Sequence, residues 1–228
     1  MVMEQSSARV RGRWGGIAAI LFAVLYVIGI ALMADTPDDD ASNAEWLRHF
    51  RDSGNRQEII YGAFVLAAAL IAFLLFLGAF RERVRGRPGG EWLSTVAFVS
   101  GSVFAAIIGV FGAALSAVPA GVEFGDGPVP RDADLIRTLE HLGFTALLIY
   151  GMASAGLFLV TASISGGRAL LFPRWMVIVG VIFGVAVAVL GWAFIPMLLI
   201  VIWALIAGVF FLIRSSTGVE PQRVTSTP

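Results

Sequence analysis

WMVIVGVIFGVAVAVLGWAFIPMLLIVIWALIAGVFFLI, from Trp175 to Ile213, runs for 39 residues without a charged side chain. As a single helix it would be about 58 Å long, nearly twice the roughly 30 Å hydrocarbon core of a bilayer. It therefore has to break. Pro196, near its middle, disfavours helix at Ile195. Gly191-Trp192 just upstream reads as a glycine stop followed by an interfacial aromatic. The stretch predicts two short helices, Trp175–Gly191 and Met197–Ile213, joined by a tight turn. Because the turn carries no charge, a partly re-entrant arrangement of 175–213 stays open.

Working outward, four more uncharged stretches reach spanning length: Trp14–Met33, Ile59–Phe80, Leu93–Val118 and Leu142–Ser165. The expected fold class is all-α, a polytopic transmembrane bundle of six spans with short interfacial helices in two acidic outer loops. The expected organisation is an N-terminal tail over 1–13, a six-helix domain over 14–213, and a disordered tail over 214–228. Composition agrees: of 228 residues 58% are hydrophobic and 14% charged, with mean hydropathy +0.86. Soluble domains run about 45–50% apolar and about 25% charged, so a soluble or disordered chain is excluded. The absence of Cys removes disulfides, thiolate metal sites and cysteine nucleophiles. The first apolar run exceeds a signal-peptide core and lacks a good cleavage site, so it is read as an uncleaved helix.

All sixteen basic residues are Arg. Six spans place eleven of them on the side of the termini, with Arg81, Arg83, Arg85 and Arg87 clustered in one loop. Five lie opposite: Arg48, Arg51, Arg56, Arg131 and Arg137. The positive-inside rule then makes both termini cytoplasmic, and the expected location is a multi-pass protein of the plasma membrane. Twelve of the sixteen acids fall on the opposite, outer side. Arg13-Trp14, Arg87 to Trp92 and Arg174-Trp175 open the three outward helices, either as a weak hairpin repeat or as an ordinary aromatic belt.

The first outer loop contains Asp35-Thr36-Pro37-Asp38-Asp39-Asp40-Ala41-Ser42. Ser42 and Glu45 have capping-box spacing, so a helix from Asn43 to about Asp52 is expected, stopped by Ser53-Gly54. Its Trp46 and Phe50 would face the headgroup region. Asn55 and Glu58 repeat the capping spacing before the second span. The second outer loop, from Val118-Pro119-Ala120-Gly121 to Pro130, is dense in Gly and Pro and reads as turns. A helix with an apolar stripe of Leu135, Ile136, Leu139 and Leu142 follows.

Sites are sparse. His49, His141, Asp38, Asp39, Asp40 and Glu140 are the only candidates for a mixed N/O metal site. No established metal motif is present, and solvated or structural histidines are the plainer reading. No nucleophile motif or P-loop occurs, so no catalytic residue and no cofactor are expected, and no nucleic-acid partner. The Arg81, Arg83, Arg85, Arg87 cluster suits anionic lipid, with topology determination the simpler explanation. Interfacial positions are assigned to Trp14, Trp46, Phe50, Trp92, Trp175 and Trp192.

No Asp, Glu, Arg or His lies inside the six apolar cores, which argues against proton relays and ion-coupled pumps. Small residues recur at helical spacing instead. Gly180, Gly184, Ala188 and Gly191 share a face of the fifth span, and Ser102, Ala106, Gly109, Ala113 and Ser116 a face of the third. These are expected helix-packing ridges, within one subunit or in a homo-oligomer. Tyr150, Ser154, Thr161 and Ser165 form a mildly polar stripe that should face protein.

The Arg11-Gly12-Arg13-Trp14 opening, Asp35 to Ser42 running into Ala44-Glu45-Trp46, and Val118 to Gly121 resemble small six-helix membrane proteins of unknown function from GC-rich bacteria. That resemblance implies a fold and no activity. The leading expectation is a non-enzymatic accessory, scaffold or sensor component that offers its acidic outer loops to a membrane partner. The alternatives are a transporter or channel for a small or apolar solute, and an extracytoplasmic metal-dependent enzyme.

Overall fold

Apolar side chains recurring around whole helices, with no strand-forming alternation, leave helix as the only way to satisfy the backbone in lipid. A computed structural model describes residues 2–38, 40–85, 91–125, 127, 128, 131–193 and 195–217, with 2–12, 195–196 and 215–217 described as backbone only. The helices are α1 (Val2–Met33), α2 (Asn43–Arg51), α3 (Ser53–Val84), α4 (Glu91–Gly125), α5 (Ala133–Thr145), α6 (Met152–Arg168), α7 (Arg174–Leu190) and α8 (Ile195–Thr217). A π-helical turn, Ala146–Gly151, joins α5 to α6 without interrupting the helix. Six stretches are long and apolar enough to cross a membrane: Arg13–Met33, Ser53–Val84, Glu91–Gly125, Ala133–Arg168, Arg174–Ala193 and Met197–Arg214. They are compatible with an integral membrane protein.

The six long helices close into a ring. α1 packs on α3 and α8, α3 on α4, α4 on α6, α6 on α7, and α7 on α8. The 39-residue stretch breaks at a short 3₁₀ turn, Gly191–Ala193. Both of its halves are helices of candidate spanning length.

Aromatic rings fill the middle of the ring. Phe73 touches Phe22, Phe104 and Phe158 at centroid distances of 4.6, 5.8 and 5.3 Å. Trp203 stands edge-on to Phe158 and Phe76 at 5.4 and 6.3 Å. None of these residues exceeds 1% exposure. The Trp203 indole N–H donates to Ser163 Oγ at 3.0 Å, so its one polar group is satisfied. Gly180 makes room for that bond, because a Cβ there would collide with Ser163 Oγ.

Glycines also set the tightest helix pair. A Cβ on Gly156 would sit 2.5 Å from the Gly184 carbonyl oxygen, and one on Gly184 2.7 Å from that of Gly156. The α6 and α7 backbones therefore meet directly, as small residues allow in lipid. Ala188 packs its methyl beside Gly156, and Gly191 lies against the Met152 side chain. The third-span ridge is different. Ser102 and Gly109 are half-buried and Ala106 and Ala113 exposed. The buried face of α4 instead runs through Ala97, Gly101, Phe104, Ala105, Ile108, Phe111 and Gly112. It is the large residues on that face, dispersed among small ones, that fill the core.

Other boundaries differ from the sequence reading. α1 is helical from Val2, and α8 extends to Thr217. The expected disorder of the C-terminal tail falls, from 218 onward, outside the described residues. α4 continues through a buried Pro119 to Gly125, where turns were expected. Of the polar stripe, Tyr150 is 65% exposed while Thr161 and Ser165 are buried. Ser154, Thr161 and Ser165 all donate back to carbonyls four residues earlier, so they link no helices.

An acidic cap clamped by two arginines

The connection after α1 is built from its caps upward. Ser42 Oγ accepts from the Glu45 amide, and the Glu45 carboxylate accepts from the Ser42 amide at 2.8 Å, a complete capping box at the start of α2. That amide bond and the Ser42 hydroxyl hold the Glu45 carboxyl below the usual carboxylate range. One residue, Asp52, ends α2 and begins α3, and its Oδ1 accepts from the amides of Gly54 and Asn55. Ser53-Gly54 thus opens the next helix rather than stopping the last. The Asn55–Glu58 spacing caps nothing, because Asn55 is drawn back to His49.

The aromatic face of α2 is turned into the protein, not toward headgroups. Trp46 is fully buried and Phe50 nearly so. The reason lies in two arginines. Arg137 of α5 places its guanidinium 5.4 Å over the Trp46 ring. It donates to Asn43 Oδ1 and the Ala41 carbonyl, tying α5 to the start of α2. Arg56, 8% exposed in the first turn of α3, donates to the Phe50 carbonyl at 2.9 Å and the Arg51 carbonyl at 2.7 Å. Those are carbonyls that a helix C-terminus leaves unsatisfied. Its other side meets Glu123 Oε1, at 2.7 Å from Nε and 2.6 Å from Nη2. Glu123 lies on the part of α4 beyond Pro119, which gives that extension a reason to stay helical.

Under α2, Glu140 is buried on the face of α5 formed by Ala133, Ile136, Glu140 and Gly143. The Leu135 and Leu142 positions expected to be apolar contacts are 51% and 56% exposed. Glu140 Oε1 accepts from Thr36 Oγ1 at 2.7 Å, joining the end of α1 to α5. Beside them is a cavity of about 10 Å³, lined by Met33, Phe50, Ile59, Leu115, Ile136 and Leu139 among others. That is about the least volume that holds one water.

Two of the five cap arginines are thus consumed internally. Glu123 and Glu140 are consumed as well, but eight other acids, Asp35, Asp38, Asp40, Glu45, Asp52, Glu58, Asp132 and Asp134, are exposed. The outer surface of α2 carries an open basin of about 500 Å³ lined by Pro37, Asp38, Ala41, Glu45, Arg48, His49, Asp52 and Asn55. The Arg48–Glu45 pair on its rim is 4.0 Å apart and largely solvated, so it adds little.

The candidate metal ligands do not converge. Glu140 is buried on Thr36, His49 faces Asn55, and His141, Asp38 and Asp40 are exposed. Asp39 lies outside the described residues. Among the described residues, no three of His, Asp or Glu form a group that could hold a metal ion. Trp92, Trp175 and Trp192 are exposed at helix ends, and Trp14 is exposed at the start of the apolar stretch of α1. Trp46 and Phe50 depart from that set for the reason given.

His49 Nδ1 accepts from Asn55 Nδ2 at 3.0 Å, which leaves its proton on a buried Nε2. Burial lowers its pKa below 6.5, outweighing the opposing pull of Asp35, Asp52 and Glu58. Below about pH 6.5 the unfolded imidazole takes up a proton that the folded one refuses, so His49 costs the cap stability as pH falls through that value. The protection factors of the α2 amides, corrected for the slower intrinsic exchange at lower pH, should therefore fall between pH 7.5 and 5.5, and a His49→Gln variant should show a smaller change. An equal change in both would remove His49 as the cause.

No protein-family model matches this chain, and no curated protein or solved structure matches it either.

Proposed function

We propose that the chain is a non-enzymatic component of a bacterial plasma membrane, an accessory, scaffold or sensor subunit that presents a rigid acidic cap to a partner with a basic surface. The observation that carries this reading is the internal use of Arg56 and Arg137. Both fix the cap: Arg56 is taken up by backbone carbonyls and Glu123, and of the exposed acids named above Arg137 meets Asp134, at 3.6 Å, so the exposed face stays acidic. Complementary charge of this kind steers association and selects partners. The aromatic axis weighs against a channel or transporter. The scattered histidines and acids weigh against an extracytoplasmic metal enzyme.

Orientation follows from the arginine distribution: both termini cytoplasmic and the cap outside. The chain has no Cys, so single introduced thiols report sidedness directly. Arg48→Cys and Leu135→Cys should react with an impermeant maleimide on intact cells, whereas Glu82→Cys and Arg168→Cys should require permeabilisation. The opposite pattern inverts the topology.

The partner is tested by photo-crosslinking from positions 48 and 135 in isolated membranes. The expected result is one discrete adduct whose yield falls as salt screens the cap and which disappears in an Arg56→Met variant. Solute movement through protein-bearing liposomes beyond empty-vesicle leakage, without any adduct, would contradict the reading.

A further inference from the structure

On the face opposite the cap, the end of α3 and the start of α4 enclose a groove of about 520 Å³ lined by Gly78, Arg81, Glu82, Arg85, Glu91 and Phe98. The α3 residues are spaced i, i+3, i+4 and i+7, one helix face, and Glu91 and Phe98 stand two turns apart on α4. The Arg81 guanidinium lies 4.8 Å over the Phe98 ring, which holds it against the groove wall. At the floor, a Cβ added to Gly78 would meet no atom within 4 Å. Unlike Gly156 or Gly184, this glycine serves no helix contact. What its missing side chain leaves is space.

We propose that this groove binds a glycerophospholipid whose headgroup carries both a phosphate and a primary ammonium. Trp92, 73% exposed in the first turn of α4, marks headgroup depth. The lining holds two Arg and two Glu. A purely anionic headgroup would gain the arginines but sit against Glu91. A headgroup of both signs satisfies the groove, its phosphate accepting charge-assisted bonds from Arg81 and Arg85 and its ammonium donating toward Glu91. A quaternary ammonium has no N–H to donate, so phosphatidylcholine is a poorer fit than phosphatidylethanolamine. The site is independent of what the cap does.

The test is native mass spectrometry of the purified full chain with equimolar phosphatidylethanolamine, phosphatidylglycerol and phosphatidylcholine of matched acyl chains. Phosphatidylethanolamine should be retained preferentially. Arg85→Gln, an exposed change, should weaken retention about fivefold, from the roughly 1 kcal/mol that one basic residue contributes at a lipid surface. Gly78→Leu fills the groove and should abolish the adduct with the protein still folded and monodisperse. Glu91→Gln should move the preference toward phosphatidylglycerol. Equal retention of the three lipids, or retention unchanged in both Gly78→Leu and Arg85→Gln, overturns the proposal. Displacement of the lipid by millimolar inorganic phosphate would reassign the groove to free phosphate and overturn it as well.

Discussion

An Arg56→Met variant should keep its six spans and lose its cap. The substitution preserves much of the side-chain bulk, so its effect comes from the polar atoms. It strands Glu123, whose side chain is 24% exposed, and releases the Phe50 and Arg51 carbonyls at the end of α2. Breaking one partner of a buried ion pair costs about 3–5 kcal/mol, and the residual exposure of Glu123 places this case near about 3 kcal/mol. Hydrogen exchange should show α2 and residues 119–125 losing protection together, with α6 and α7 unchanged. An Arg48→Met control, at an exposed ion pair, should differ from the parent by less than about 1 kcal/mol. Protection retained in Arg56→Met would mean that Trp46 and Phe50 packing alone holds the cap.

The second large effect is expected inside the bundle. Gly184→Val places its side chain against the Gly156 carbonyl oxygen and the Val160 backbone amide nitrogen, at 2.7 and 2.9 Å from the Cβ alone. Backbone cannot swing aside as a side-chain tip can, so α7 must move away from α6. Overpacking of this kind costs about 1–3 kcal/mol and occasionally more, and two backbone contacts place it at the upper end. Thermal unfolding in detergent should show a clear drop in midpoint. Gly78→Ala, at a glycine with nothing within 4 Å, should be neutral or slightly stabilising, since Ala is the better helix former. Similar midpoints for the two variants would deny that the α6–α7 approach matters.

The six helices were legible because the signal behind them is bulk hydropathy over spanning lengths, and the break near Pro196 because length alone demanded it. What the sequence does not reveal is which polar groups turn inward. Arg56 was counted as a minority charge in a topology argument, although it shares a helix face with Ile59 and Ile60. Glu140 reads from its residue type as a candidate metal ligand, although its spacing with Ala133, Ile136 and Gly143 puts it on the buried face of α5. In both cases a charge within an apolar periodicity was the available sign. The Gly- and Pro-dense stretch from Val118 reads as turns, the ordinary inference, and only the Arg56–Glu123 pair shows why α4 continues past Pro119. Trp46 has the composition of an interfacial residue, and nothing in its own helix reveals that Arg137, over ninety residues on, covers it. Contacts of that separation are not encoded in any local pattern.

The proposed function requires the cap to be a fixed surface and not a lid. In a chain without native Cys, spin labels on Arg48→Cys and Leu135→Cys report the distance between α2 and α5, at two exposed positions outside the clamp. Pulsed electron paramagnetic resonance in lipid nanodiscs should give one narrow distance population, the same from low to high salt. A second, longer population would show that α2 swings away from α5, and would contradict the rigid cap on which the proposed function rests.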